Sequence, residues 1–192
     1  MKNTIILNLL PIKTTRLTLK KLSLDDVDML LKMDKQEETQ KYLGGIKNKT
    51  KDERIKFIEK KLEKMNNNSS CSLTVYLENT PIGMIGLSIN ENDNNAEISY
   101  IFDQDYCGNG YCTEASKKLI DLCFNKLDLN RVFANTIDGN IPSKRVLEKL
   151  GFIHEGTRKE AAFVNTLNEY RDFLDYGILK RNYVEESKTN IK

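Results

Sequence analysis

The sequence predicts a mixed α+β fold, a central and mostly antiparallel sheet with helices packed on it, and three observations carry that reading. Apolar runs at 71–77, 82–90 and 96–102 follow one another, separated by the turn formers Glu78-Asn79-Thr80-Pro81 and Glu91-Asn92-Asp93-Asn94-Asn95, which is the pattern of an antiparallel meander. The glycine-bearing segment 105–115 then opens into a helical pattern at Tyr111, Ala115, Leu119, Leu122 and Cys123. A further strand at 131–136 lies beyond that helix, as in a parallel crossover unit.

The other elements follow in order. Residues 16–22 alternate as a half-buried strand. Ser23 precedes Asp25 and Asp26 as a helix cap, and Val27, Leu30, Leu31 and Asp34 continue at helical spacing to about Lys35. Residues 36–50 have no clean period and contain Gly44 and Gly45, so they form a long connection, with Tyr42 and Leu43 set to cover a ligand or tuck into the core edge. Thr50 with Glu53 makes a capping box for a second helix through Ile55, Phe57, Ile58 and Leu62, ending at the polar run 66–70. Gly83 and Gly86 mark a bend or bulge within the strand 82–90. A short helix spans 140–150 and stops at Gly151, strands follow at 152–157 and 170–179, and residues 159–168 between them read as an irregular loop. The tail after Tyr183 is polar and expected to fray.

The chain has 192 residues, 39% hydrophobic and 30% charged, with no repeat, linker or low-complexity block, so one domain over 1–192 is expected, with an ordered core of roughly 14–183. Thirty basic against twenty-eight acidic residues lack the excess that phosphate-dominated nucleic-acid binding requires. No apolar stretch has the length of a membrane span and residues 1–10 lack a signal-peptide pattern, so a cytoplasmic protein is expected. Cys71, Cys107, Cys112 and Cys123 form no Cys-x-x-Cys pair and His154 is the single histidine, which leaves no zinc spacing. A nucleophile built from Cys107 or Cys112 with His154 has nothing in the sequence to bring it together.

Glycines flanking one residue at a strand-to-helix junction let the backbone approach a ligand and present successive N–H groups, where the positive end of the helix favours an anion such as a diphosphate. Such a turn also serves tight geometry alone, so its neighbours must decide.

The run Tyr106-Cys107-Gly108-Asn109-Gly110-Tyr111-Cys112-Thr113-Glu114-Ala115, followed by Asn140-Ile141-Pro142-Ser143 and its helix to Gly151-Phe152, resembles the two signature blocks of the GCN5-related N-acetyltransferases, or GNAT family. The opening Thr15-Arg16-Leu17-Thr18-Leu19 and closing Tyr170-Arg171-Asp172 resemble its RimJ/RimL-like branch. The resemblance covers nearly the whole chain. It implies a mixed, mostly antiparallel seven-stranded sheet flanked by about four helices and splayed between the fourth and fifth strands, and an acetyl-CoA-dependent enzyme without a metal. It assigns the coenzyme's diphosphate to the amides of Gly108, Asn109, Gly110, Tyr111 and Cys112. It assigns the pantetheine arm to the backbone edge at Tyr100, Ile101 and Phe102, to Asn140, which is also a helix cap, and to Ser143. Two positions depart from the family pattern. Asp105 replaces glutamine or arginine, an acid where a diphosphate is expected, and Leu147 stands where many members carry the tyrosine that protonates the departing thiolate.

Direct acetyl transfer to an amine needs a base, a polarised carbonyl and a proton for the thiolate, with no covalent enzyme intermediate. The backbone of the fourth strand is the candidate for polarising the carbonyl. Glu97 on that strand is the candidate base, acting through water, and Ser143 the candidate acid, with Tyr100, Tyr170 and Tyr176 as further phenols. Tyr42, Phe163 and Tyr170 are expected on the acceptor side. The acceptor is a primary amine, either a protein N-terminal residue or a polyamine, amino acid or aminoglycoside. A non-catalytic acetyl-CoA sensor is the rival from another class. A P-loop or dinucleotide site is disfavoured by the missing Gly-Lys-Ser/Thr and third glycine. Exposed sheet edges are compatible with a homodimer.

Overall fold

Strand alternation decides which side chains meet which helices, and in this protein both faces of the sheet are covered. The computed structural model describes residues 2–43, 49–67 and 70–183. In chain order these form α1 (Lys2–Leu7), β1 (Ile12–Lys13), β2 (Leu17–Lys21), α2 (Val27–Asp34), α3 (Glu37–Gln40), α4 (Lys51–Asn66), β3 (Ser70–Leu77), β4 (Thr80–Asn90), β5 (Asn95–Phe102), α5 (Tyr111–Asn125), β6 (Arg131–Ile137), α6 (Ile141–Lys149), β7 (Ile153–Val164) and β8 (Glu169–Leu179). Residues 44–48, which include Gly44 and Gly45, residues 68 and 69 of the polar run, and the tail beyond Tyr183 lie outside the described residues.

The strands make one eight-stranded sheet in the order β1-β2-β3-β4-β5-β6-β8-β7. Residues 71–102 form the expected antiparallel meander. The β5–β6 pair is parallel and joined through α5. One face packs Leu73, Val75, Ile85, Leu87, Ala96, Ile98 and Phe102 against Ala115, Leu119, Cys123 and Leu147 of α5 and α6. The other face packs Met84 and Ile101 against Leu22, Val27, Leu30 and Met33 around α2 and against Ile58 of α4. β5 therefore sends Ala96, Ile98, Tyr100 and Phe102 toward α5 and α6, and Glu97, Ser99 and Ile101 toward α2 and α4.

Local chemistry sets the helix ends. The Thr50–Glu53 capping box forms as expected, with Thr50 N–H donating to Glu53 at 2.7 Å and Glu53 N–H to Thr50 Oγ1 at 3.3 Å. Ser23 opens a single 3-10 turn before α2, and Asp26 within it is buried, accepting from Ser23 N–H at 2.9 Å, Thr74 Oγ1 at 2.7 Å and Tyr76 Oη at 2.7 Å. A buried carboxylate with several donors is tolerated, and this one fastens the start of α2 to β3. Asp34 on α2 and Arg54 on α4 form a buried ion pair, Nε to Oδ2 at 2.6 Å.

Several elements differ from the sequence expectation. The eighth strand is the two-residue β1, and α1 and α3 are helices too short to show a period. α1 holds because Ile6 is buried and Asn3 Nδ2 donates to Met65 O at 2.8 Å and Ser70 O at 3.1 Å. Gly83 and Gly86 mark close strand approach: a Cβ at Gly83 would lie 2.7 Å from Ile101 O, and one at Gly86 2.9 Å from Cys71 O. A bulge also lies there, as the sequence suggested: Val75 faces Gly83 and Tyr76 faces Pro81, so Ile82 of β4 is the extra residue. Residues 159–168 are not an irregular loop. β7 continues to Val164, with a register shift between Arg158 and Ala162, and turns into β8. Glu160 adopts φ +47° at the shift, and its N–H donates to Asp172 on the facing strand at 2.8 Å, which keeps the two arms together where the ladder is interrupted.

Candidate active site

The sheet separates beside β5. β5 and β6 pair only at Asn95↔Arg131, Ala96↔Val132 and Glu97↔Phe133, yet β5 continues to Phe102 and β6 to Ile137. β4 backs β5 along its length, and β8 backs β6. The result is a slot whose walls are two strands, with the edge of residues 98–102 facing it. An extended ligand carrying amide groups can pair with such an edge as a strand would.

The glycine turn lies at the end of this slot. Gly108 and Gly110 take φ +81° and +79°, a conformation that costs an L-residue roughly 1–2 kcal/mol. Left-handed residues on either side of Asn109 gather successive N–H groups into a concave turn. Glu114 N–H donates to Gly110 O at 3.0 Å and is the first intrahelical bond of α5. The N–H groups of Tyr111, Cys112 and Thr113 before it have no carbonyl four residues back inside the helix, and they add to the positive end of α5. A turn of this kind can hold an anion, and it contains Gly108, Asn109, Gly110, Tyr111 and Cys112, the residues to which the family resemblance assigns a diphosphate.

Asp105 is paired with a cation, which it shares with Asp103. Lys32 Nζ of α2 lies 2.7 Å from Asp105 Oδ2 and 2.6 Å from Asp103 Oδ2. Asp103 is buried, and its Oδ1 accepts from Gln36 Nε2 at 2.6 Å and from Asp105 N–H at 3.0 Å. Burial pushes the Asp103 carboxyl up, but the bonds from Lys32, Gln36 and the Asp105 amide outweigh it and hold the group below the usual carboxylate range. The bonds to Asp103 and Asp105 hold the Lys32 ammonium well above the usual lysine range. A second brace comes from the chain start: Glu114 accepts from Thr14 Oγ1 at 2.6 Å, Arg16 N–H at 2.8 Å and Arg16 Nε at 2.7 Å, while Arg16 Nη1 donates to Asn109 O at 3.0 Å. The Arg16 guanidinium also lies 4.5 Å above the Tyr111 ring. Lys32, Gln36 and Glu114 were not singled out from sequence. Arg16 lay in a segment noted as a strand and for its resemblance, with no role of its own.

Two polar pairs flank the slot, one on each face. Toward α2 and α4, Glu97 Oε1 accepts from Asn135 Nδ2 at 2.9 Å, joining β5 to β6 just past their last backbone pair. Toward α5 and α6, the Tyr100 hydroxyl lies 3.1 Å from Ser143 Oγ and donates to Ser143 O at 3.3 Å. Asn140 caps α6, its Oδ1 accepting from Ser143 N–H at 3.2 Å, so its Nδ2 remains to meet a ligand. Leu147 is wholly buried.

The expected acceptor-side residues lie close to the Asn140 turn. Tyr42 lies against Gly139, whose Cβ would sit 3.5 Å from the Tyr42 hydroxyl. Phe163 and Tyr170 pair edge to face across the β7–β8 hairpin, ring centroids 5.1 Å apart, and both are exposed. Thr166 Oγ1 at the hairpin tip donates to Lys41 O, bringing that tip beside Tyr42. The thiol–imidazole nucleophile does not form. His154 lies against Tyr176 and Thr157 on the β7–β8 hairpin, whereas Cys107 donates to Asp103 O at 3.6 Å and burial pushes its thiol up. No helix among the described residues is long and apolar enough to cross a membrane.

The split mixed sheet with a glycine turn at its mouth is shared with solved acetyltransferases, one of them from Bacillus anthracis at 28% identity and a TM-score of 0.77, covering 88% of this chain and 98% of that one. The family profile described as an acetyltransferase (GNAT) domain matches residues 16–153. The N-acetyltransferase p20 of Bacillus licheniformis, a protein of uncharacterised role, is 31% identical over 175 residues, which is 88% of this chain and 96% of p20. Bacillus subtilis YdaF, provisionally named a ribosomal N-acetyltransferase, is 36% identical over 105 residues, 54% of this chain and 56% of YdaF. The chain thus spans little more than half of YdaF but nearly all of p20. The spermidine N-acetyltransferase of Vibrio cholerae, solved with CoA and spermine, shares the fold with a TM-score of 0.77 at 22% identity, covering 89% of this chain and 99% of that one. The chain belongs to the GNAT acetyltransferases, enzymes that take their acetyl group from acetyl-CoA, and resembles the RimJ/RimL-like branch among them.

Proposed function

We propose that the protein moves acetyl from acetyl-CoA directly to a primary amine, and that this amine is the N-terminal residue of a protein. The observation that carries the reading is the slot beside β5, with Glu97 and Asn135 on one face and Tyr100 and Ser143 on the other. A base and an acid on opposite faces suit an amine entering from one side while a thiolate leaves on the other. Acetyl-CoA supplies the activated thioester. Gly108, Asn109, Gly110, Tyr111 and Cys112 hold its diphosphate, and the edge at Tyr100, Ile101 and Phe102 with Asn140 and Ser143 holds its pantetheine arm. Glu97, oriented by Asn135, accepts the amine's proton through water. Backbone N–H groups of β5 polarise the thioester carbonyl, and Ser143 returns a proton to the thiolate.

Tyr42, Phe163 and Tyr170 lie on the acceptor side. The name of YdaF favours a ribosomal-protein N-terminus, and the Vibrio cholerae structure a polyamine. Charge on the β7–β8 hairpin weighs toward the peptide. Arg131 pairs with Glu155, Arg158 with Asp175, Lys159 with Asp172 and Arg171 with Glu169, so these four carboxylates are already matched by cations rather than open to a polycation. The test is thiol release over N-terminal peptides, polyamines, amino acids and aminoglycosides, beside calorimetry with CoA. Turnover on peptides is expected. Turnover confined to polyamines overturns the acceptor, and CoA binding with no turnover on any amine favours the sensor.

A further inference from the structure

Helix α4 turns residues 54, 58, 61 and 65 to the sheet, a spacing that lies along one face of an α-helix. Arg54, Ile58 and Met65 of that stripe are buried, and the remaining position is Lys61. Arg54 is matched by Asp34 in a buried ion pair. Lys61 is not matched: among the described residues its ammonium has no hydrogen-bond or ion-pair partner, and it lies 5.6 Å from the Phe57 ring. Beneath this part of α4 is the face of β5 that carries Glu97, the candidate base. Burial lowers the Lys61 ammonium below the usual lysine range, Lys64 adds to this and the Glu97 carboxylate opposes it. Arg158, a second cation near Glu97, is already held by Asp175 at 2.8 and 2.9 Å. A partly desolvated, unmatched cation is stabilised by meeting an anion, and here it stands beside the place where the acceptor's amine must lie.

We propose that Lys61 binds a carboxylate of the acceptor, so that the preferred N-terminus carries Asp or Glu within its first few residues; this rests on the transfer reading above. The amine lies at the water held by Glu97, and the acidic side chain reaches toward α4. Glu97 does not compete for the cation, because its Oε1 is turned to Asn135 Nδ2 at 2.9 Å. The same ammonium repels a polycation, which adds to the case for a peptide acceptor. Lys61 is a binding residue and moves no proton.

The test is thiol release from acetyl-CoA by the full chain, with short peptides that share one N-terminal residue and carry Asp, Ala or Lys at the second and third positions. Wild type is expected to favour the Asp peptide over the Lys peptide by about 5- to 20-fold in kcat/KM, mostly through KM and less so at high salt. Lys61→Met suits the apolar stripe and should bring that ratio near one, with the melting temperature held or raised, since an unmatched cation leaves the helix's inner face. Lys61→Arg should keep the preference. Lys60→Met removes the same charge from the exposed neighbouring position and should leave the ratio as in wild type, which separates a local contact from net charge. A wild type that turns over the Ala peptide without preferring Asp, or a preference that survives in Lys61→Met, overturns the inference and leaves the transfer reading standing. An equal loss on all three peptides in Lys61→Met assigns the residue to the fold or to Glu97 and overturns it as well. A wild-type protein with no turnover on any amine removes both readings.

Discussion

Lys32 Nζ lies 2.7 Å from Asp105 Oδ2, so an ammonium from α2 offsets the acid at the head of the glycine turn. Asp103 shares the same cation at 2.6 Å. Removing Lys32 leaves two carboxylates beside the turn. Because the Lys32 and Asp105 side chains are 51% and 56% exposed, solvent screens the effect, and Lys32→Ala is expected to weaken CoA binding by about 5- to 10-fold, on the order of 1 kcal/mol. Adding Asp105→Asn should restore most of the loss. Calorimetry at two salt concentrations checks both, and equal affinity for wild type and Lys32→Ala would sink the idea.

Gly108 offers a clean test of backbone strain, because a Cβ there would meet no atom within 4 Å. Gly108→Ala therefore loses stability through its φ of +81° alone, about 1–2 kcal/mol, or roughly 2–8 °C in melting temperature. CoA affinity should fall about tenfold or more if the turn relaxes. At Gly177 the reason differs: its Cβ would come within 2.5 Å of Arg131 Nη1, and the substitution should break the Arg131–Glu155 pair.

Glu97→Gln keeps the shape and the acceptor for Asn135 but not the base. A fall in kcat of about 10²- to 10⁴-fold with CoA affinity unchanged is expected from steady-state kinetics and calorimetry. Asn135→Ala, which only frees Glu97 to rotate, should cost less. An active Glu97→Gln assigns the base elsewhere.

Glu114 gives a pH dependence. Burial pushes its carboxyl up, but the bonds from Thr14 and from Arg16 outweigh this and hold it below the usual range. A depressed carboxylate stabilises the fold fully above its unfolded pKa of about 4 and ceases to do so as pH falls through the lower folded value. Urea titrations should separate wild type from Glu114→Gln at pH 7, with the gap closing below about pH 4. A constant gap down to pH 3 means that packing, not charge, accounts for it.

Long periodic elements were legible in the sequence. The meander, the crossover through α5 and the helices beginning at Thr50 and Asn140 follow from alternation, turn formers and caps. α1 and α3 were not, because six and four residues give no period and α1 depends on the burial of Ile6 and Asn3. Both arms of the β7–β8 hairpin were legible, but the outer part of β7 escaped because its alternation is broken at Glu160, whose left-handed backbone is met by Asp172 across the hairpin. At the site, the glycines and Asn140 announced themselves by position. Lys32 did not: a lysine on an exposed helix face looks like any other until the fold brings Asp103 and Asp105 beside it, 71 and 73 positions along the chain. The Tyr100–Ser143 contact was hidden for the same reason.

Only three backbone pairs tie β5 to β6, so the sheet divides into two plates joined along a short seam. A guest that bonds both plates becomes a structural member of the sheet, and its affinity appears as mechanical stiffness. Amide hydrogen exchange without ligand should be fastest at the open ends of the plates and slow there when the coenzyme bridges them. Mutations that loosen the seam, far from any reacting atom, should then be read first as weaker coenzyme retention.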